Sequence, residues 1–105
     1  MTSSTQTESS NGFSFAVEKI LEPLDPGLKP VGRAGMISTP HGDILTPAFI
    51  PVGTKATVKS VLPESMADLG ANALLANAYH LYLQPGADIV DAAGGVGAFM
   101  NWPGP

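Results

Sequence analysis

Three short stretches in the second half of the chain restrict its fold more than anything else in it. The apolar run Ala48, Phe49, Ile50, Pro51 and Val52 leads into Gly53, Thr54 and Lys55, the pattern of a buried strand ending in a loop. Pro63 then opens a short helical stretch, with Glu64 in its first turn, apolar Met66, Ala67 and Leu69, and Gly70 just past its end. After that single glycine, residues 71–76 (ANALLA) are again apolar and short. Strand, loop, helix, strand in that order is one βαβ unit, and such a crossover requires its two strands to run parallel.

The flanking segments extend this reading. Residues 1–12 are almost wholly Ser, Thr, Gln, Asn and Gly, too polar to offset the entropy of ordering, and are expected to be a disordered tail. Within residues 13–31, Phe13, Phe15 and Val17 fall on one face of a short strand, and Pro23, Pro26, Gly27 and Pro30 make the rest a proline-rich linker. Residues 33–39 and 43–46 flank Pro40, His41 and Gly42 and predict a hairpin. A second helix is expected over residues 86–93, after Pro85 and before Gly94 and Gly95, with Ile89, Val90 and Ala93 as a narrow apolar face. Phe99, Met100 and Trp102 lead into Pro103, Gly104 and Pro105.

The fold class is therefore α/β. Residues 32–105 read as a β-hairpin followed by two β/α units. Two such units leave a strand edge unpaired and cover only part of one sheet face. A (β/α)8 barrel takes roughly 250 residues, so the chain would supply about its first quarter to third.

Composition narrows the function classes. With 44% apolar and 13% charged residues, the 105-residue chain reads as part of a globular protein. Its net charge of -4 argues against gripping RNA alone, because phosphate neutralisation by Lys and Arg supplies most sequence-independent affinity. The absence of cysteine excludes a disulfide framework, a thiolate nucleophile and a Cys-type zinc site within these residues. The N-terminus has neither a positive region nor a continuous apolar core for export, and no stretch approaches the ~20 apolar residues of a membrane span. A cytoplasmic protein without membrane contact is expected.

Candidate chemistry sits at the ends of the two parallel strands, the edge where β/α folds bind ligands. Val52, Gly53, Thr54 and Lys55 end the first; the Gly-Thr step either lets a ligand approach the backbone or serves a turn in which Gly53 takes an unusual backbone angle. Asn77, Ala78, Tyr79, His80 and Leu81 end the second. Asn77 offers an amide donor and an acceptor that suit the edge of a purine-like base, and Leu75 points to the same side of the strand. Tyr79 and His80 can stack or donate. The plainer alternative is that Asn77 caps a helical turn, Tyr79 is half-buried and His80 bonds a backbone carbonyl. His41 and Asp43 are explained by a turn, and Asp88 and Asp91 by a solvated helix face near its N-terminal half. No HxxxH, CxxC, GxGxxG or P-loop pattern supports a metal or nucleotide-cofactor site.

Taken in order, TPHG at 39–42, TPAFIPVGTKATVK at 46–59, NAYHL at 77–81, QPG at 84–86 and FMNW at 99–102 resemble the opening of bacterial tRNA-guanine transglycosylases, from about Gly32 to Pro103. The resemblance implies a TIM barrel that exchanges the wobble guanine of certain tRNAs for a 7-deazaguanine base in queuosine synthesis, through an aspartate nucleophile and a covalent ribosyl-enzyme. It implies Val52 and Thr54 beside the flipped nucleotide's ribose and Leu75 and Asn77 in the base pocket, with Tyr79 and His80 as support. Lys59 and Phe99 would lie near a homodimer interface. The family's TDSGG-like motif, its nucleophilic aspartate and its structural zinc ligands do not occur here. Ala78 stands where Thr is commoner, Ile50 where Met is common, and Val96-Gly97 where Leu-His is usual. The expectation is an N-terminal piece of such an enzyme, inactive alone. The alternative is a non-catalytic subunit that binds a full-length transglycosylase.

Overall fold

The computed structural model describes residues 7–10 and 12–105 and divides the chain into two units, residues 1–48 and 49–105. The first is a four-stranded antiparallel sheet of β1 (Thr7–Ser10), β2 (Phe13–Ile20), β3 (Arg33–Thr39) and β4 (Gly42–Thr46), in that spatial order. The expected hairpin is present: Thr39 pairs with Gly42 across a turn at Pro40 and His41. Thr39 closes that turn, its Oγ1 donating to the Gly42 carbonyl at 2.8 Å and accepting from the His41 N–H at 3.1 Å. His41 and Asp43 thus belong to the turn. Among the described residues, Val17 and Ile44 are the buried apolar residues of this unit.

Thr7–Ser10, placed by composition in a disordered tail, instead pair with Phe13–Ala16. Strand pairing needs only backbone donors and acceptors, and β2 presents a free edge that a polar segment can use. Residues 1–6 and 11 of the expected tail lie outside the described residues. Between β2 and β3, the proline-rich segment is a closed loop. The Leu21 N–H donates to the Gly32 carbonyl at 2.8 Å, and Asp25 turns the tip by accepting from Gly27 N–H on Oδ1 and from Leu28 N–H on its carbonyl, both at 3.0 Å.

The second unit holds the βαβ crossover. β5 (Val52–Gly53) and β6 (Leu75–Ala76) pair in parallel, Val52 beside Leu75 and Gly53 beside Ala76, with α1 (Pro63–Asp68) between them. The strands are shorter than the apolar runs that encode them, and Phe49 is 85% exposed. Each has one partner, so only the residues facing that partner take up ladder geometry. α2 (Ala78–Leu83), α3 (Ala87–Ala92) and α4 (Val96–Met100) follow. α3 fulfils the expected second helix. α2 extends the helical turn that the alternative reading of Asn77 offered, and α4 was not expected as a helix.

Three of the helices stop in one way. After α1 and α3 the left-handed residue is Gly70 or Gly94, and after α4 it is Asn101. In each case the next N–H reaches back five residues, from Ala71 to Met66, Gly95 to Val90 and Trp102 to Gly97, satisfying carbonyls the helix cannot. Glycine meets the left-handed demand without a Cβ clash, and Asn is the side chain that tolerates it best. The helices pack Met66, Leu81, Val90 and Met100 with Ala56 and Trp102 into one core, ringed by half-buried residues including Leu74, Ala76 and Phe99. Among the described residues no helix is long and apolar enough to cross a membrane.

Candidate functional site

Side chains alternate across a strand, and residues paired in a parallel ladder share a face. Val52 and Leu75 therefore stand side by side on one face of the β5–β6 pair, 56% and 52% exposed, while Gly53 turns to the opposite, buried face. One further step of the alternation places Thr54 and Asn77 on the same side as Val52 and Leu75. The four residues singled out from the sequence are thus gathered at the C-terminal end of the parallel pair. They provide two apolar flanks, a hydroxyl and an amide.

Gly53 does not supply the unusual backbone angle of the turn reading. It lies outside the left-handed glycines, and it faces the core. A Cβ there would meet Met100 Cε at 3.0 Å and the Thr57 nitrogen at 3.3 Å, so glycine is required by the close approach of α4 and the following turn. That turn is Thr54 to Thr57, closed by the Thr57 N–H donating to the Thr54 carbonyl at 3.1 Å. Its central residues, Lys55 and Ala56, both have positive φ, 56° and 60°, as a type I′ turn requires. Ala56 is buried in the core and anchors the turn, leaving Lys55 exposed beside the strand end. Sequence patterns find such turns through Asn-Gly or Asp-Gly, and Lys-Ala carries no such signal.

Asn77 does cap α2. Its Oδ1 accepts from the Tyr79 N–H at 2.9 Å, which satisfies one of the free donors at the helix start. The cap uses only Oδ1, so the two N–H donors of Nδ2 are not engaged by it. Tyr79 is exposed rather than half-buried, and its ring meets His80 edge-on at 5.7 Å between centroids, so the His80 ring has an aromatic neighbour in place of the anticipated carbonyl. Lys59 is exposed in a turn, and Phe99 is half-buried against the core.

Asp88 and Asp91 are exposed on α3, as their solvated-face reading had it. Among the described residues no cluster of His, Cys, Asp or Glu could hold a metal ion. The arrangement offers an open apolar surface with polar groups at its end. It carries no activated nucleophile.

A missed feature is the carbonyl of Pro105. It accepts from Trp102 Nε1 at 2.8 Å and from the Leu74 N–H at 3.1 Å, tying the last residues to the strand that leads into the site.

Comparison with known proteins identifies the family. The family described as queuine tRNA-ribosyltransferase matches residues 29–105. A queuine tRNA-ribosyltransferase of Gloeobacter violaceus is 62% identical over 73 residues, covering 70% of this chain and 19% of that protein. One from Moorella thermoacetica is 60% identical over 73 residues, 70% of this chain and 20% of the relative. One from Desulforudis audaxviator is 50% identical over 86 residues, 82% and 23%. The chain spans about a fifth of the length of these curated relatives.

A parallel strand pair with its crossover helix makes this unit an α/β segment, and the relatives it matches are named as ribosyl-transferring enzymes. The chain belongs to the queuine tRNA-ribosyltransferase family.

Proposed function

We propose that this chain forms one wall of the base and ribose pocket of a cytoplasmic tRNA-guanine transglycosylase built as a (β/α)8 barrel. The observation that supports the reading is the β5–β6 pair, which sets Val52 beside Leu75 on one accessible face, with Thr54 and Asn77 two residues further along the two segments. In the exchange, an aspartate carboxylate attacks C1′ of the wobble nucleotide as guanine departs with the glycosidic electron pair. A 7-deazaguanine base then attacks C1′ and releases the carboxylate. Val52 and Thr54 border the ribose. Leu75 packs on the flat face of the extruded base, and the Asn77 amide donates to an acceptor on its edge. Tyr79 and His80 support the far end of this wall, and Lys59 and Phe99 belong to the face through which two copies of the longer protein pair.

This chain holds and orients, and the bond-breaking step lies elsewhere. Asp25, Asp43, Asp68, Asp88 and Asp91 all lie off β5 and β6. The structural zinc implied by the family finds no thiolates here, since the chain has no cysteine, and no step is routed through it.

Two measurements test the proposal. The 105-residue chain, incubated with substrate tRNA and labelled guanine, is expected to incorporate none, and turnover above background overturns the inactivity. The same segment, substituted for the N-terminal segment of the Gloeobacter violaceus relative, is expected to support incorporation that Leu75→Glu abolishes. An unaffected Leu75→Glu rate would remove β6 from the pocket.

A further inference from the structure

The loop between β2 and β3 and the groove at its base have no part in the pocket, yet they hold the most exposed apolar side chains of the first unit. Leu24 is fully exposed and Val31 is 96% exposed, with Leu21 and Leu28 each at 63%. Such exposure is common on slack loops, but this one is held at its base by the Leu21–Gly32 bond and at its tip by both Asp25 bonds, and Pro23, Pro26 and Pro30 restrict its φ angles. The loop therefore presents Leu24 as a preformed knob with the Asp25 carboxylate next to it, and little conformational entropy remains to be lost on docking.

Beside the loop lies a groove of about 820 Å³. Phe15 and Ile37 line it together with Leu21 and Val31, and Lys19 and Arg33 supply its charge. The Arg33 guanidinium lies over the Phe15 ring, 5.5 Å from its centroid, so a cation is held against the apolar lining. Knob and groove are complementary in both respects: apolar with an adjacent anion on one, apolar with adjacent cations on the other. Both occur on the same copy, which is the condition for an isologous two-fold contact.

We infer that residues 21–32 of one copy dock into the groove of a second copy. Leu24 enters between Phe15 and Ile37 of the other chain, and Asp25 pairs with its Arg33. This contact is separate from the face assigned to Lys59 and Phe99 and does not depend on the pocket reading.

Sedimentation velocity of the 105-residue chain, from low micromolar to near-millimolar concentration, tests it. A monomer–dimer equilibrium is expected, with the dissociation constant raised roughly tenfold or more by Leu24→Asp, by Asp25→Lys and by Arg33→Glu. The Asp25→Lys chain mixed with the Arg33→Glu chain should restore pairing, because a mixed dimer has opposite charges across both contacts, whereas either variant alone sets like charges together in both. Lys59→Glu should leave the equilibrium unchanged. Circular dichroism of each variant separates lost pairing from lost folding, and Leu24→Asp sits on an exposed tip where folding is not at stake. A monomer at every concentration, a dimer indifferent to Leu24→Asp, or one abolished by Lys59→Glu overturns the inference.

Discussion

Replacing Asn77 in two ways separates the structural and the binding duties of one side chain. Asn77→Ala removes the acceptor that holds the Tyr79 N–H at 2.9 Å. Loss of such a cap costs about 1 kcal/mol, which lowers the melting temperature by roughly 4–8 °C in a domain of this size. Asn77→Asp keeps an oxygen in the capping position and places negative charge at the start of α2, where the helix dipole favours it, so its melting temperature should stay at the native value. The same change deletes both Nδ2 donors. In a catalytically competent chain carrying this segment, loss of a neutral hydrogen bond worth about 0.5–1.5 kcal/mol lowers kcat/KM for guanine exchange by roughly 3- to 10-fold. Thermal unfolding followed by circular dichroism, and incorporation of labelled guanine, read the two effects independently. Equal destabilisation by Ala and Asp would refute the cap as the source of the stability. An undiminished exchange rate in the Asp variant would refute donation by the amide.

Other substitutions probe the framework. Gly35→Ala would put a Cβ 2.6 Å from the Ala16 carbonyl oxygen, a backbone atom in β2 that cannot swing away, so the β2–β3 pairing should weaken by about 1–3 kcal/mol in urea unfolding. Lys55→Asn should raise stability by about 0.5–1 kcal/mol in the same assay, because Asn accepts positive φ more readily than Lys and the exposed lysine contributes no burial. Trp102→Phe deletes the 2.8 Å bond to the Pro105 carbonyl and should cost about 1 kcal/mol. Trp102 is the sole tryptophan and is buried, so the native chain should also show a red shift of its emission on unfolding.

What could be read beforehand follows from which interactions are local. The Pro63 start and Gly70 stop of α1 are chain-local signals, and so are the turn at Pro40–His41 and the helix bounded by Gly86 and Gly94; all stand where the sequence put them. Val52, Thr54, Leu75 and Asn77 were found separately, by strand-end position and resemblance. Their shared face depends on the Val52–Leu75 register, which no local pattern contains. Gly53 was misread for a related reason, since its requirement comes from Met100, remote in sequence. The edge strand Thr7–Ser10 escaped because composition measures what a segment can bury, whereas backbone pairing asks little of its side chains.

The two sides of β5 have a consequence for how this family can change. Val52 and Gly53 are adjacent in sequence but answer to different neighbours, one to the accessible face and the other to Met100. Mutations that reshape the accessible face at Val52 or Leu75 can therefore be sampled with little penalty in folding, which under the proposed pocket leaves selection for a different ligand room to act there. Asn77 is the exception. Its oxygen serves the helix and its nitrogen is the donor proposed for the base, so under that proposal an adaptive step at that position is pleiotropic and confined to the few residues that satisfy both.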